Sequence, residues 1–166
     1  MAEIRRIGED DWATLREVRL RSLLDAPDAF GSTYGEESTL TESAWRDRSA
    51  GRWRGGAAAS FLAIDDDRAI GTATGAEYDD EPGVAHVYAM WVAPDARGAG
   101  VGRRLVDAVS GWARDRGCRR LTLTVTESNT DARGLYDACG FVETGARTPL
   151  REGSELDVVT MNKNLR

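Results

Sequence analysis

The sequence has two cysteines, Cys118 and Cys139, and a single histidine, His86. The cysteines do not have the spacing of a metal knuckle, and one imidazole excludes a multi-histidine metal site. The simplest reading of the thiols is that both are reduced and buried. Lysine and arginine form no dense block, and the formal net charge is −6. That argues against nucleic acid as the main partner, and any polyanion site must be basic only locally. No apolar run approaches a membrane span, and Met1 to Arg6 lacks the apolar stretch of a signal peptide. The expected location is the cytoplasm, with no membrane partner.

What is present suits one globular domain over residues 1–166. The chain is 41% hydrophobic and 30% charged, within the range of folded proteins. Its organising stretch runs from Val92 to Arg104. Val84 to Val92 reads as an apolar strand. After it, Val101, Leu105, Val109 and Trp112 recur at three- and four-residue steps, which predicts an amphipathic helix. Between strand and helix lies Arg97-Gly98-Ala99-Gly100-Val101-Gly102-Arg103. A strand, a glycine turn and a helix start together make an anion site. The first amides of a helix have no partner inside it, and the dipole favours negative charge there. Glycines let a phosphate approach the backbone. Arg97, Arg103 and Arg104 supply local positive charge for charge-assisted hydrogen bonds.

A glycine turn alone has several meanings. No Gly-Lys-Ser/Thr follows, so this is not a P-loop. The spacing Gly-x-Gly-x-Gly also differs from the dinucleotide fingerprint. Arg-Gly-x-Gly-Val-Gly after an apolar strand ending Val-x-Pro resembles the acyl-CoA signature of the GCN5-related N-acetyltransferases, the GNAT family. A second block, Asn129 to Phe141, resembles the family's Asn, Ala, Leu-Tyr and Gly-Phe pattern at Asn129, Ala132, Leu135-Tyr136 and Gly140-Phe141. The resemblance covers about Val84 to Thr144. The N-terminal half matches only in general plan.

The remaining elements follow from local signals. Ile4 to Ile7 is a short strand. Asp10 or Asp11 caps a helix carrying Trp12, Leu15, Val18, Leu20, Leu23 and Leu24, which stops before Pro27. Asp28 to Gly35 is read either as a loop whose Phe30 and Tyr34 plug the core, or as a wall of the acceptor pocket. Thr41 or Ser43 caps a short helix through Trp45 to Ser49, and Gly51 to Gly56 reads as a flexible connection. Ala59 to Ile64 and Ala69 to Thr74 form a hairpin around three aspartates. Gly117 suits a helix C′ position, Arg120 to Val125 a strand, and Asn129 the cap of a helix ending at Gly140. Strands start at Phe141 and at Leu156. The order predicts an α/β fold with a mixed, mostly antiparallel central sheet and helices on both faces. The resemblance adds that the central parallel strands splay apart around a pantetheine arm.

The resemblance implies an acetyl-CoA-dependent N-acetyltransferase, with no metal. Acetyl-CoA would be held by Arg97, Gly98, Ala99, Gly100, Val101, Gly102 and Arg103 at its pyrophosphate. The backbone of Met90, Trp91 and Val92 would pair with its pantetheine, the Met90 amide pointing at the thioester carbonyl. Asn129 is a helix cap and a further CoA contact. Tyr136 is either a core aromatic or the acid that protonates the departing thiolate, since a phenol of pKa about 10 is protonated at neutral pH. Strand alternation puts His86, Tyr88, Met90 and Val92 on one face. Some relatives carry a catalytic glutamate where His86 stands. His86 is therefore either a packed strand residue or the base that deprotonates the amine; a water chain could serve instead, and Glu127 is the next residue to consider. The expected acceptor is the primary amine of a small molecule. Alternatives are a protein N-terminus or lysine and, in another class, a non-catalytic acyl-CoA-binding module. Monomer and homodimer both stay open.

Overall fold

The computed structural model describes residues 1–53 and 55–165. The elements are β1 (Glu3–Arg6), α1 (Trp12–Asp25), α2 (Tyr34–Glu37), α3 (Glu42–Ala50), β2 (Arg52–Trp53), β3 (Gly56–Asp65), β4 (Arg68–Tyr78), β5 (Val84–Val92), α4 (Val101–Asp115), β6 (Arg120–Thr126), α5 (Thr130–Ala138), β7 (Val142–Pro149) and β8 (Asp157–Asn164). One eight-stranded sheet runs β1-β3-β4-β5-β6-β8-β7, with β2 added beside β3. Every pairing is antiparallel except β5 with β6. The mixed sheet expected from the element order is the one observed.

Helix α4 covers one face. Val101, Leu105, Val109 and Trp112 are all buried at the spacing that defines a single helical stripe. Small residues on β4 let the helix come close. A Cβ at Gly75 would lie 2.8 Å from the Trp112 ring, and one at Gly71 would lie 3.1 Å from Leu105. The helix therefore rests on the β4 backbone, which fixes where its N-terminus points. On the opposite face α1 and α3 bury Val18, Leu23 and Trp45. Asp25, at the end of α1, accepts from Trp91 Nε1 on β5 at 2.9 Å.

Two features of β5 position the site. Thr72 pairs with Trp91, and Thr74 pairs with Tyr88. Two steps on β4 therefore oppose three on β5, which is a β-bulge. The extra residue is Ala89, at φ +56° in the left-handed region. The second feature is the parallel edge. Only Val84–Arg120, Ala85–Leu121 and His86–Thr122 are paired. Beyond them β5 continues to Val92 and β6 to Thr126 without pairing to each other. The central strands splay, leaving a gap.

Local expectations fail in three places. Gly51 to Gly56 is no simple connection: Arg52 and Trp53 pair with Ala57 and Gly56, and Gly51 takes φ +81°. Arg54 in that stretch lies outside the described residues. Tyr34 does not plug the core but is 41% exposed, while Phe30 is buried. The reason is the capping box at Thr33, whose Oγ1 accepts from the Glu36 amide. It starts α2 so that Glu37, not Tyr34, turns inward. The bulge at Ala89 also divides the face drawn through β5. His86 and Tyr88 pair with Ala76 and Thr74, on the α1 side. Met90 and Val92 pack toward Gly102 of α4. The alternating set is broken because one extra residue inverts the phase of everything after it.

Candidate active site

The glycine turn opens α4 as a bare helix start. Arg104 N–H is the first amide bonded within the helix, to Gly100 O at 3.1 Å. The amides of Val101, Gly102 and Arg103 precede it and have no intrahelical carbonyl. Gly98 and Gly100 take φ +83° and +82°, and a Cβ on either would meet nothing within 4 Å. Their side of the turn is open, as an anion site requires. Gly102 differs. A Cβ there would lie 2.9 Å from Leu135 on α5 and 3.2 Å from Met90. Its smallness brings α4 against α5 and β5.

The arginines have separate duties. Arg97 Nε donates to Val92 O at 2.9 Å, and its Nη2 to Asp25 at 3.0 Å. Arg97 thus ties the turn to the strand end and to α1. Arg104 Nη1 donates to Ala2 O at 2.6 Å, away from the turn. Arg103 is exposed, and no carboxylate pairs with it among the described residues. Of the three arginines it is the one with no partner among the described residues, and it stands in the first turn of α4.

Strand alternation sorts the backbone groups. Ala93 N–H donates to Ile70 O on β4. Trp91, two residues before, shares that direction, whereas Val92 and Met90 turn their peptide groups to the gap. Since Arg97 occupies the Val92 carbonyl, the Met90 groups and the Val92 amide are the ones that face β6 unpaired. The expected pantetheine contact through the Trp91 backbone does not fit this geometry.

A cavity of about 400 Å³ opens from the gap. Met90, Asn129, Ala132 and Tyr136 line it, together with Leu123 to Thr126 of β6. Asn129 caps α5, its Oδ1 accepting from Ala132 N–H at 3.1 Å. Tyr136 is 6% exposed and packs edge-on against Phe141 at 5.7 Å. Burial, and then the nearby Cys139, push its hydroxyl above the usual phenol range. It stays protonated at any physiological pH. His86 stands outside the lining set. Its ring stacks on Tyr88, which does line the cavity, and meets Tyr78 edge-on. Its Nε2 lies 2.8 Å from Glu81. Glu127 is ion-paired with Arg147. Cys118 and Cys139 are both free thiols and buried. Burial and the neighbouring Glu77 push the Cys118 thiol to about 11.

The other side of the cavity carries residues that no motif announced. They are Arg19, Glu37, Trp45, Arg48, Trp53, Thr72 and Tyr88. Glu37 accepts from Arg19 Nε at 3.0 Å, Arg19 Nη2 at 2.8 Å and Arg48 Nη1 at 2.8 Å. Burial alone would raise its carboxyl. The two guanidiniums outweigh that and lower it from 4.5 to about 2. The Tyr78 hydroxyl accepts from Trp53 Nε1 at 3.0 Å and shares a hydrogen bond with the Tyr88 hydroxyl at 2.9 Å.

Residues 18–141 match the family model described as the acetyltransferase (GNAT) family. The chain belongs to the GNAT family. Among curated GNAT relatives, a mycothiol acetyltransferase of Rhodococcus jostii (strain RHA1) is 36% identical over 113 residues, 65% of this chain and 37% of its own length. An aminoglycoside N(6')-acetyltransferase type 1 of Stenotrophomonas maltophilia is 41% identical over 61 residues, 37% of this chain and 40% of its own length. The chain therefore spans about two-fifths of the length of each of these two relatives. The YncA protein of Salmonella typhimurium, solved with acetyl-CoA, shares the GNAT fold at TM-score 0.81 and 20% identity, covering 100% of this chain and 95% of its own. A GNAT acetyltransferase of Streptococcus pneumoniae superposes at TM-score 0.76 and 24% identity, covering 99% of each chain.

Proposed function

We propose that this chain transfers an acetyl group from acetyl-CoA to the primary amine of a small molecule, by direct attack in a ternary complex. The observation that supports this most is the continuity of the site. An unpaired strand edge joins an open helix N-terminus to a cavity with a buried, protonated tyrosine in its wall. Bound acetyl-CoA would supply the activated acyl group. The Val101, Gly102 and Arg103 amides and the Arg103 guanidinium would hold its pyrophosphate. The Met90 amide, facing the gap, would donate to the acyl oxygen as charge develops there. Tyr136 would give its proton to the departing sulfur. For the amine proton the reading keeps His86. A ring that carries a single proton, on the Nε2 beside Glu81, would present its lone pair on Nδ1. His86→Gln removes that proton acceptor at similar size. The acidic limb of the kcat/KM profile should disappear or shift in this variant. An unchanged limb with near-parental activity would make His86 a packing residue.

A small acceptor is favoured over a polypeptide because the cavity is walled by aromatic side chains and backed by a buried ion cluster. The names of the relatives, mycothiol and aminoglycoside acetyltransferases, also point to small amines. The deciding experiment is release of the CoA thiol with a panel of small amines and a panel of peptides. Turnover with small amines alone is the expected result. Turnover with peptides alone would move the reading to protein acetylation. Tight acetyl-CoA binding without release under any amine would make the chain an acyl-CoA-binding module.

A further inference from the structure

Among the described residues, the α1–α3 side of the cavity holds more hydrogen-bond donors than find a partner. Glu37 takes three N–H bonds, so neither of its oxygens lacks a partner. Its carboxyl is unsuited to receive an ammonium or a proton. Arg19 directs Nε and Nη2 at Glu37, but its Nη1 is buried without a partner. Trp45 is 1% exposed, and its Nε1 has no partner. Thr72 is 1% exposed, and its hydroxyl has no partner. Buried polar groups in native interiors are nearly always satisfied. Here three occur on residues that line one cavity.

The charge is equally uneven. Among the described residues lining the cavity, only Arg19, Arg48 and Glu37 are charged. Two guanidiniums and one ionised carboxylate make a net charge of +1, with the Arg19 and Glu37 side chains nearly buried and Arg48 partly open to solvent. An uncompensated charge there is unfavourable, and a monoanion would balance it. A carboxylate has the matching charge and two acceptor oxygens for guanidinium, indole and hydroxyl donors. Leu15, Phe30 and Trp53 make the rest of this side apolar and aromatic. Met90 and Tyr136 line the same cavity, so an amine attached to that carboxylate can reach the gap between β5 and β6. A polycationic amine meets repulsion.

We infer that the acceptor is a small amino acid or similar amino-carboxylate, whose carboxylate is received by Arg19, Trp45 and Thr72. This rests on the acetyl-transfer reading and narrows its substrate. Arg48 and Glu37 are positioning residues that hold the Arg19 fork in place.

The test compares the standard amino acids with their carboxamides, which keep the amine and lose the charge. Two readouts are taken on the full chain: CoA release, and the rise in melting temperature on ligand addition. Acids should be favoured in kcat/KM by about tenfold or more, the size expected for a hydrogen bond to a charged group. Thr72→Val removes only a hydroxyl without a protein partner, so the fold should persist. It should raise KM for the acid several-fold, raise KM for the amide less because a neutral carbonyl accepts a weaker hydrogen bond, and leave KM for acetyl-CoA unchanged. Arg19→Gln should remove the preference altogether. Amides that bind and react as well as acids would overturn the inference, and so would a preference that survives both variants. Acids that raise the melting temperature more than amides, with no CoA released from any amine, would uphold the anion site and instead overturn acetyl transfer.

Discussion

The two ends of the cleft are made of different material. At the α4 end, the site is backbone: successive amides of one turn, an unpaired strand edge, and two glycines at positive φ. At the α1–α3 end, it is side chains drawn from three helices and three strands. A backbone site depends on conformation and tolerates many sequences around a few glycines. A side-chain site depends on which residues stand there, and each substitution changes what it accepts. The first end suits a ligand shared by many proteins, and the second suits the particular acceptor.

The sharpest test of this contrast is Glu37→Gln. The variant leaves Arg19 and Arg48 facing each other without the carboxylate that joins them. Breaking a buried pair in this way costs about 3–5 kcal/mol. Denaturant unfolding should show a loss of that order, with acetyl-CoA affinity preserved in the folded fraction. The pH dependence carries a sign. The Glu37 carboxyl is lowered in the fold to about 2. Its contribution is complete above the unfolded value of roughly 4.3 and is lost as pH falls toward 2. The parent should lose stability across that window more steeply than the Gln variant. Equal acid slopes would mean that the cluster contributes little.

Tyr136→Phe follows in size. The ring and its edge contact with Phe141 persist, while the proton is lost. Turnover should fall about 10²-fold with acetyl-CoA affinity nearly unchanged. Nearly full turnover with chemistry rate-limiting would reduce Tyr136 to packing. At the turn itself, Arg103→Ala should weaken acetyl-CoA by about 1–3 kcal/mol in calorimetry. Arg97→Ala should weaken it less, because Arg97 already donates to Val92 and Asp25. The reverse order would put Arg97 on the phosphate after all.

The sequence disclosed these ends unequally, and for a physical reason. Val84–Val92 was legible residue for residue, and α4 begins at Val101 beside the Gly100 expected to start it. Those signals are local: an apolar run, a glycine turn, a 3.6-residue stripe. Asn129 as a cap was legible for the same reason. The Arg19–Glu37–Arg48 cluster was not. Its members sit on three helices, and no spacing announces that their side chains converge. Tyr34 misled because a capping box, rather than hydrophobicity, decides which residues of α2 turn inward. The splay of β5 and β6 came from the family resemblance, since an unpaired edge leaves no mark on periodicity. The bulge was hidden because its residue is an alanine, which gives no hint of positive φ.

That alanine is where the two ends meet, and it gives the smallest expected effect. Ala89 lines the cavity at φ +56°, just before Met90, whose peptide groups face the gap. The left-handed region costs a non-glycine residue about 1–2 kcal/mol, because Cβ crowds the neighbouring carbonyl. Glycine removes that penalty but adds about 0.5–1 kcal/mol of chain entropy to be lost on folding. Ala89→Gly should therefore stabilise the fold, by about 0.5–1 kcal/mol on balance. Ala89→Val, with a branched Cβ, should destabilise it by more than that. Both are measurable by denaturant midpoints at constant slope. If the bulge is imposed by the pairing of Thr72 with Trp91 and Thr74 with Tyr88, the glycine variant keeps the strand's aim. Its KM values for acetyl-CoA and acceptor then stay at the parental level. A more stable variant with raised KM for both would show a different dependence. The alanine itself, not the flanking register, would then be holding the Met90 amide toward the gap.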